Sequence, residues 1–392
     1  MLLYFTIIMF LLGDVLRKTS IYFNLDFIRY TGVFKTIVLI TYIVFVFVYL
    51  KEYTKLEVTK KFIVFSIGLL IVFFLGQTII KSNSNILSLI RGNLLFLSRY
   101  LYWPITIITF LPLITSSNYS NQHLRFFSIL FFINAAVILL SFFFNINLFK
   151  TYFTFERFGF MGFYNTSNQA SYYFILFILY YYYKVFFKLK NHLEFSFVLL
   201  ISLLIGTKKI YFFLIILCLY HFFKFKLFKN LKFYSLISVI IIFVIIFFLK
   251  LKFFFESKFQ IFINIYNDQG LLTSVTSYRD QLLVKTYADV INSWRLPNYI
   301  LGGPKFYEIR TEFGLIDLYL LFGCFGIYAF YLFFKTLYQF TNFSKFYLFI
   351  LASVGLTSFF SSGFLSDANQ PLLFVLISGY FISETKLSIK EF

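Results

Sequence analysis

The chain has 392 residues, of which 60% are hydrophobic and only 13% charged. A soluble domain carries about 25% charged residues, so with a mean hydropathy of +0.83 this composition excludes an ordinary water-soluble enzyme and implies helices solvated by lipid. The net charge of +19 is no nucleic-acid signal either, because the lysines sit in short tracts between apolar runs, the pattern of membrane-flanking loops.

In chain order, apolar runs predict an all-α, polytopic transmembrane helical bundle of about twelve spans, allowing ~20 residues per crossing and fewer where neighbours bury the ends. The runs are 1–13, 33–50, 62–80, 94–115, 125–144, 168–183, 194–206, 209–223, 233–249, 314–334, 346–362 and 371–383. The first has no basic start and no small-residue cleavage site, so it reads as a span rather than a removable signal. Three regions follow: N-terminal transmembrane helices over 1–249, a large extracytoplasmic loop over 250–313, and C-terminal transmembrane helices with a short tail over 314–392. Cys218 and Cys324 lie inside apolar runs, which gives neither a disulfide framework nor a metal-ligand spacing.

Alternate connections differ in charge. One set holds Lys51, Lys55, Lys60 and Lys61, then Lys184, Lys188 and Lys190, then Lys224, Lys226, Lys229 and Lys232. The opposite short connections hold fewer cations, so the lysine-rich set is expected in the cytoplasm together with both termini. The long polar segment 250–313 then lies outside. Within it the spacing of Leu282, Leu283, Tyr287, Val290, Ile291 and Trp294 predicts an amphipathic helix lying on the membrane surface.

Candidate chemistry gathers at the outer span ends, where ionisable groups are costly and therefore functional candidates. Arg157 opens a stretch through Gly159, Gly162 and Asn165 to Asn168. Its guanidinium suits an anionic group, the asparagines suit sugar hydroxyls, and Ser167 or Asn168 also reads as an ordinary helix cap. Lys208 and Lys209 form a basic turn between two short helices, equally readable as phosphate ligands or as chains snorkelling to headgroups. Arg279 opens the amphipathic stretch, with a surface ion pair to Asp280 as the bland alternative. A Gly302-Gly303 turn leads through Arg310 and Glu312 to Asp317, a carboxylate inside an apolar helix that must neutralise or find a partner. The patch from Ser361 to Gln370 reads as a plain connecting turn.

The order of these parts resembles the O-antigen or oligosaccharide repeat-unit polymerases of the Wzy type and the related O-antigen ligases. Ligases carry a His near the end of the large loop, whereas this chain has Glu312 and Asp317 there. The resemblance implies transfer of a growing glycan from undecaprenyl diphosphate onto a lipid-linked repeat unit at the outer face of the bacterial cytoplasmic membrane. Arg157, Arg279, Arg310, Lys208, Lys209, Asn165 and Asn168 would hold substrate, and Glu312 or Asp317 would act on the acceptor hydroxyl. No metal or cofactor is expected. The implied partners are the lipid-linked oligosaccharide, membrane lipid, a flippase and a chain-length regulator. Ligase-type transfer and lipid-linked oligosaccharide flipping are the alternatives.

Overall fold

The computed structural model describes residues 1–25, 30–49, 51, 57–79, 86–115, 117–152, 157–227, 252–304, 306, 308, 310–340 and 344–390. Among them the regular structure is helical, apart from one isolated antiparallel bridge between Lys150 and Phe160. In chain order the helices are α1 (Leu2–Phe23), α2 (Tyr30–Val48), α3 (Glu57–Ile79), α4 (Ile86–Thr115), α5 (Ser117–Phe143), α6 (Ser167–Lys188), α7 (His192–Leu204) and α8 (Lys208–Lys224). After them come α9 (Lys252–Thr276), α10 (Arg279–Ser293), α11 (Leu296–Leu301), α12 (Gly314–Phe340), α13 (Lys345–Phe360) and α14 (Gln370–Lys390). Each predicted span overlaps one of these helices except 233–249, which lies outside the described residues. Glu57–Ile79, Leu87–Leu111, Gln122–Phe143 and Gly314–Phe340 are the 4 described helices long and apolar enough to cross a membrane.

Helix α6 is buried on all faces from Gln169 to Tyr182, and α14 likewise from Gln370 to Ser383. With α4 they form the centre of the bundle, joined by aromatic rings. Trp103 of α4 is fully buried, 4.6 Å from Phe364 and 5.3 Å from Phe374. In lipid, apolar burial supplies no hydrophobic drive between helices, so close packing of such rings carries the association. The outer helices turn large apolar side chains away from the protein. Phe47 of α2 is 70% exposed and Val64 of α3 is 68% exposed. Apolar surface of this extent suits lipid and not water.

Among the described residues, several connections predicted to lie on one side meet at one end of the bundle. There Lys18 donates to the Gly162 carbonyl, Thr151 Oγ1 to the Ile205 carbonyl and Lys208 to the Ser274 carbonyl. Asn93 reaches the Pro304 carbonyl at the same end, and the Ser362 N–H reaches the Glu312 carbonyl. At the other end the last turns of α6 and α8 meet the start of α13, with Tyr182 bonded to His221 and Phe187 packed on Phe225 and Phe346. Lys188, Lys190, Lys224 and Lys345 sit at this second end.

Two glycine junctions set the backbone of the first end. Gly302 and Gly303 have φ of 72° and 107°, and a Cβ on either would strike backbone atoms, of α12 at Gly302 and of α3 at Gly303. Asn298 secures the junction by donating to the carbonyls of Gly76 and Gly302 at 3.1 and 2.7 Å. Opposite it, α12 breaks its helical geometry at Gly323, where a Cβ would strike the Ile300 carbonyl. The result is a rigid seat for the segment that carries Arg310 and Glu312. A second close approach, Gly206 against Phe158 and Gly159, ties the Arg157 stretch to the turn before α8.

Candidate active site

Thr311 and Asp317 shape the approach to α12. The Asp317 Oδ1 accepts from the Thr311 N–H and from Thr311 Oγ1, both at 2.8 Å, and Thr311 Oγ1 in turn accepts from the Phe313 N–H at 3.2 Å. This ring of bonds holds Glu312 at a φ of 60°, a left-handed conformation a non-glycine residue adopts only under outside constraint. Its carboxylate is thereby presented at the surface, 41% exposed, between two arginines. Arg279 Nε lies 3.5 Å from Oε2, and Arg310 lies 4.0 Å from Oε1.

Arg279 arrives from the large loop. The turn between α9 and α10 is fastened by Asp280, which accepts from Thr273 and Thr276 at 2.6 Å each. Desolvation is the largest single influence and raises the Asp280 carboxyl, but these hydroxyls and two backbone N–H groups together outweigh it and hold it below the ordinary carboxylate value. The bland alternative, a surface pair of Arg279 with Asp280, is therefore not formed. Asp280 serves the turn, and Arg279 is left to face Glu312. Lys208, at the first residue of α8, donates to the carbonyls of Ser274 and Val275 and to Ser277 Oγ, binding the same turn from the other side.

Lys209 stands beside this group. It donates to Asn168 Oδ1 at 2.9 Å and to the Ser362 carbonyl at 3.2 Å, and lies 4.0 Å from the Tyr172 ring centre. It also interacts electrostatically with Arg279, Asp367 and Glu312. Asn168 thus orients a cation, and the cap of α6 is Thr166, whose hydroxyl accepts from the Gln169 N–H. That corrects the expectation of a Ser167 or Asn168 cap. Arg157 rests over the Tyr152 ring at 4.3 Å and acts electrostatically on Lys208. Asn165 lies in the bend before α6 and is not among the partners of these side chains.

Residues outside the expected set extend the cluster. Arg99 lies 5.0 Å and Arg310 5.6 Å from the centre of the Phe96 ring. Arg99 interacts electrostatically with Asp367, Arg310 and Arg17, and Asp367 pairs with Lys35 at 3.5 Å. The stretch around Asp367 is therefore more than a plain turn. A charge within an apolar run was the signal for Lys35 and Arg99, as it was for Asp317.

The assembled site is a carboxylate flanked by guanidiniums and lysines, reached from the end of the bundle where the large loop packs. Its excess of positive charge at the first turn of α8 adds to the helix dipole, so the field favours an anion. Arginine forks in such a field bind phosphate oxygens two at a time. Compared with known proteins, the chain matches no family model, no curated protein and no solved structure. The chemistry of these residues carries the functional argument.

Proposed function

We propose that this chain is a multi-pass membrane polymerase of the cytoplasmic membrane, with both termini inside. It moves a growing glycan from undecaprenyl diphosphate to the terminal sugar of the next lipid-linked repeat unit at the outer face. The observation that carries the reading is the convergence of Arg279 and Arg310 on Glu312, with Lys208, Lys209 and Arg157 around them. Glycan transfer from a lipid diphosphate breaks the anomeric carbon–phosphate oxygen bond and forms a bond from that carbon to the acceptor hydroxyl oxygen. Negative charge grows on the departing diphosphate, and fixed cations that meet it there lower the barrier.

The same convergence suggests how the base is uncovered. Before substrate binds, Arg279 and Arg310 rest on Glu312. A diphosphate offers them better, bidentate partners, and their transfer to it leaves Glu312 free to take the proton from the acceptor hydroxyl. Asp317 keeps Glu312 in place through Thr311.

The test is Arg279→Lys, which keeps the charge and removes the planar fork. Losing one charge-assisted contact at a developing anion costs roughly 2.7–4 kcal/mol, or a hundredfold to a thousandfold in rate. The expected result is near loss of polysaccharide chains on a gel at normal membrane abundance, with single repeat units still made. A wild-type ladder in this variant would remove Arg279 from the reaction. Loss of surface repeat units altogether would favour a flippase.

A further inference from the structure

A second group of charges centres on Asp367 and not on Glu312. It lies at the end of the bundle where the large loop packs, and α2 sits there against α1 and α4. Helix α1 carries Asp14, Arg17 and Lys18, spaced so that all three share one face. Helix α2 brings Lys35, whose Nζ lies 3.5 Å from Asp367 Oδ1. Helix α4 brings Arg99, and one turn further in its Tyr102 donates to the Lys35 carbonyl. Asn369 ties the two carboxylates together. Its N–H donates to Asp367 Oδ1 at 3.2 Å and its Nδ2 to Asp14 Oδ2 at 2.9 Å. Arg99 interacts electrostatically with Asp367 and Arg17, and Arg17 with Asp14.

These charges do not balance. Arg17, Lys18, Lys35 and Arg99 are four cations against two carboxylates. Lys18 is consumed by the carbonyls of Gly162 and Tyr164, and Asp14 Oδ2 by Gln169 and Asn369. Asp367 has its partner in Lys35. Among the described residues, neither Arg17 nor Arg99 is in an ion pair. Half-buried guanidiniums within spans are costly unless an anion meets them. The group is also within reach of a ligand. The Lys35 side chain is 25% exposed and that of Asp367 13%, and both arginines are half-buried. One turn nearer the loop end, the residues on the same helix faces are exposed: Ile21 beyond Arg17, Gly32 before Lys35 and Leu95 before Arg99. A Cβ added at Gly32 would meet nothing within 4 Å, so the approach beside α2 is open.

We propose that this recess takes the phosphate of an anionic membrane lipid, held by Arg17 and Arg99 beside the Lys35–Asp367 pair, with the lipid's carbon chains against Ile21 and Leu95. Two guanidiniums without a carboxylate of their own make a field that favours an anion. Their planar forks suit phosphate oxygens. In a membrane setting, phosphate is the anion that the bilayer itself supplies at the ends of spans. The apolar rim of Ile21 and Leu95 gains by covering a lipid's carbon chain, whereas a free ion would gain nothing from it. This lipid site stands whether or not the chain is a polymerase.

The experiment is photolabelling of the whole protein in phosphatidylcholine nanodiscs by phosphatidylglycerol with a diazirine in its headgroup, labelled residues being located by mass spectrometry. Labelling is expected on α1 around Ile21 and on α4 around Leu95. Unlabelled phosphatidylglycerol should compete at least about tenfold more effectively than diacylglycerol, oleate or inorganic phosphate, the discrimination that one charge-assisted contact provides. Arg17→Gln with Arg99→Gln should lower labelling at these positions at least about tenfold. Lys190→Gln with Lys226→Gln, at the opposite end, should leave it unchanged. Labelling that avoids both positions would overturn the proposal. Equal competition by diacylglycerol would mean only a greasy cleft, and equal competition by oleate would remove phosphate as the recognised group. Equal competition by inorganic phosphate would make this a site for a soluble anion and overturn the lipid. The competition series on the unaltered protein decides the matter even if the arginine variant does not fold.

Discussion

Glu312 and Asp317 are both carboxylates near the start of α12, and only their partners separate them. Asp317 Oδ1 is spent on Thr311, whereas Glu312 is half-exposed between Arg279 and Arg310. Glu312→Gln should therefore remove a general base, lowering chain formation by about 10²–10⁴-fold with normal protein in the membrane. Asp317→Asn keeps an acceptor oxygen for the Thr311 N–H and hydroxyl and should retain most of the output. Asp317→Ala leaves that buried N–H unpaired and should cost about 1–3 kcal/mol of stability, seen as a lower midpoint in thermal unfolding. Equal loss in Glu312→Gln and Asp317→Asn at equal abundance would return Asp317 to the chemistry. The sequence pointed to both residues because each is an ionisable group at a span end. It had no means of telling which oxygen would be consumed by a turn two residues long. The same holds for Arg279: its position was readable, but its partner was not, since Asp280 is nearer in sequence and Glu312 nearer in space.

Among the elements, α10 was legible because its apolar residues recur at helical spacing. The spacing did not say that they divide between two faces. Thr286, Val290 and Trp294 are buried, with the Trp294 ring 5.6 Å from Tyr319, while Leu282, Tyr287 and Ile291 are exposed. Leu271, Leu272 and Val275 at the end of α9 are exposed as well. A helix buried on one side that still carries apolar groups on the other suits the membrane surface. Val290→Asp buries a charge against the protein and should make the large loop sensitive to protease added outside. Tyr287→Asp with Ile291→Asp alters only the outer face. That pair should leave the loop resistant while lowering polymer output several-fold. Protease sensitivity in the double variant would mean that its outer face is packed on protein.

At the scale of the molecule, hydropathy sufficed for the helices among the described residues, and the expected alternation agrees with the connections whose contacts are described. Among the described residues, connections expected on the outer side meet through Lys18, Lys208 and Ser362, and the ends of α6 and α8 meet the start of α13 at the opposite end. What hydropathy could not supply was the joining of distant charges, Lys35 to Asp367 and Arg99 to Arg310, because that depends on how α2, α4 and the α13–α14 connection pack. Sidedness itself rests on the lysine asymmetry, and two exposed positions at opposite ends test it. Asn267 lies in α9 of the large loop, and Lys226 follows α8 at the lysine-rich end. Both native cysteines are exposed, so Cys218→Ser and Cys324→Ser should be tolerated and give a silent background. Single cysteines are then placed by Asn267→Cys and Lys226→Cys. In intact cells an impermeant thiol reagent should label the first and not the second, and Lys226→Cys should label only after the membrane is opened. Outward labelling of both would mean that the region between α8 and α9 does not cross the membrane, and the large loop could then not be assigned to the outer face by charge.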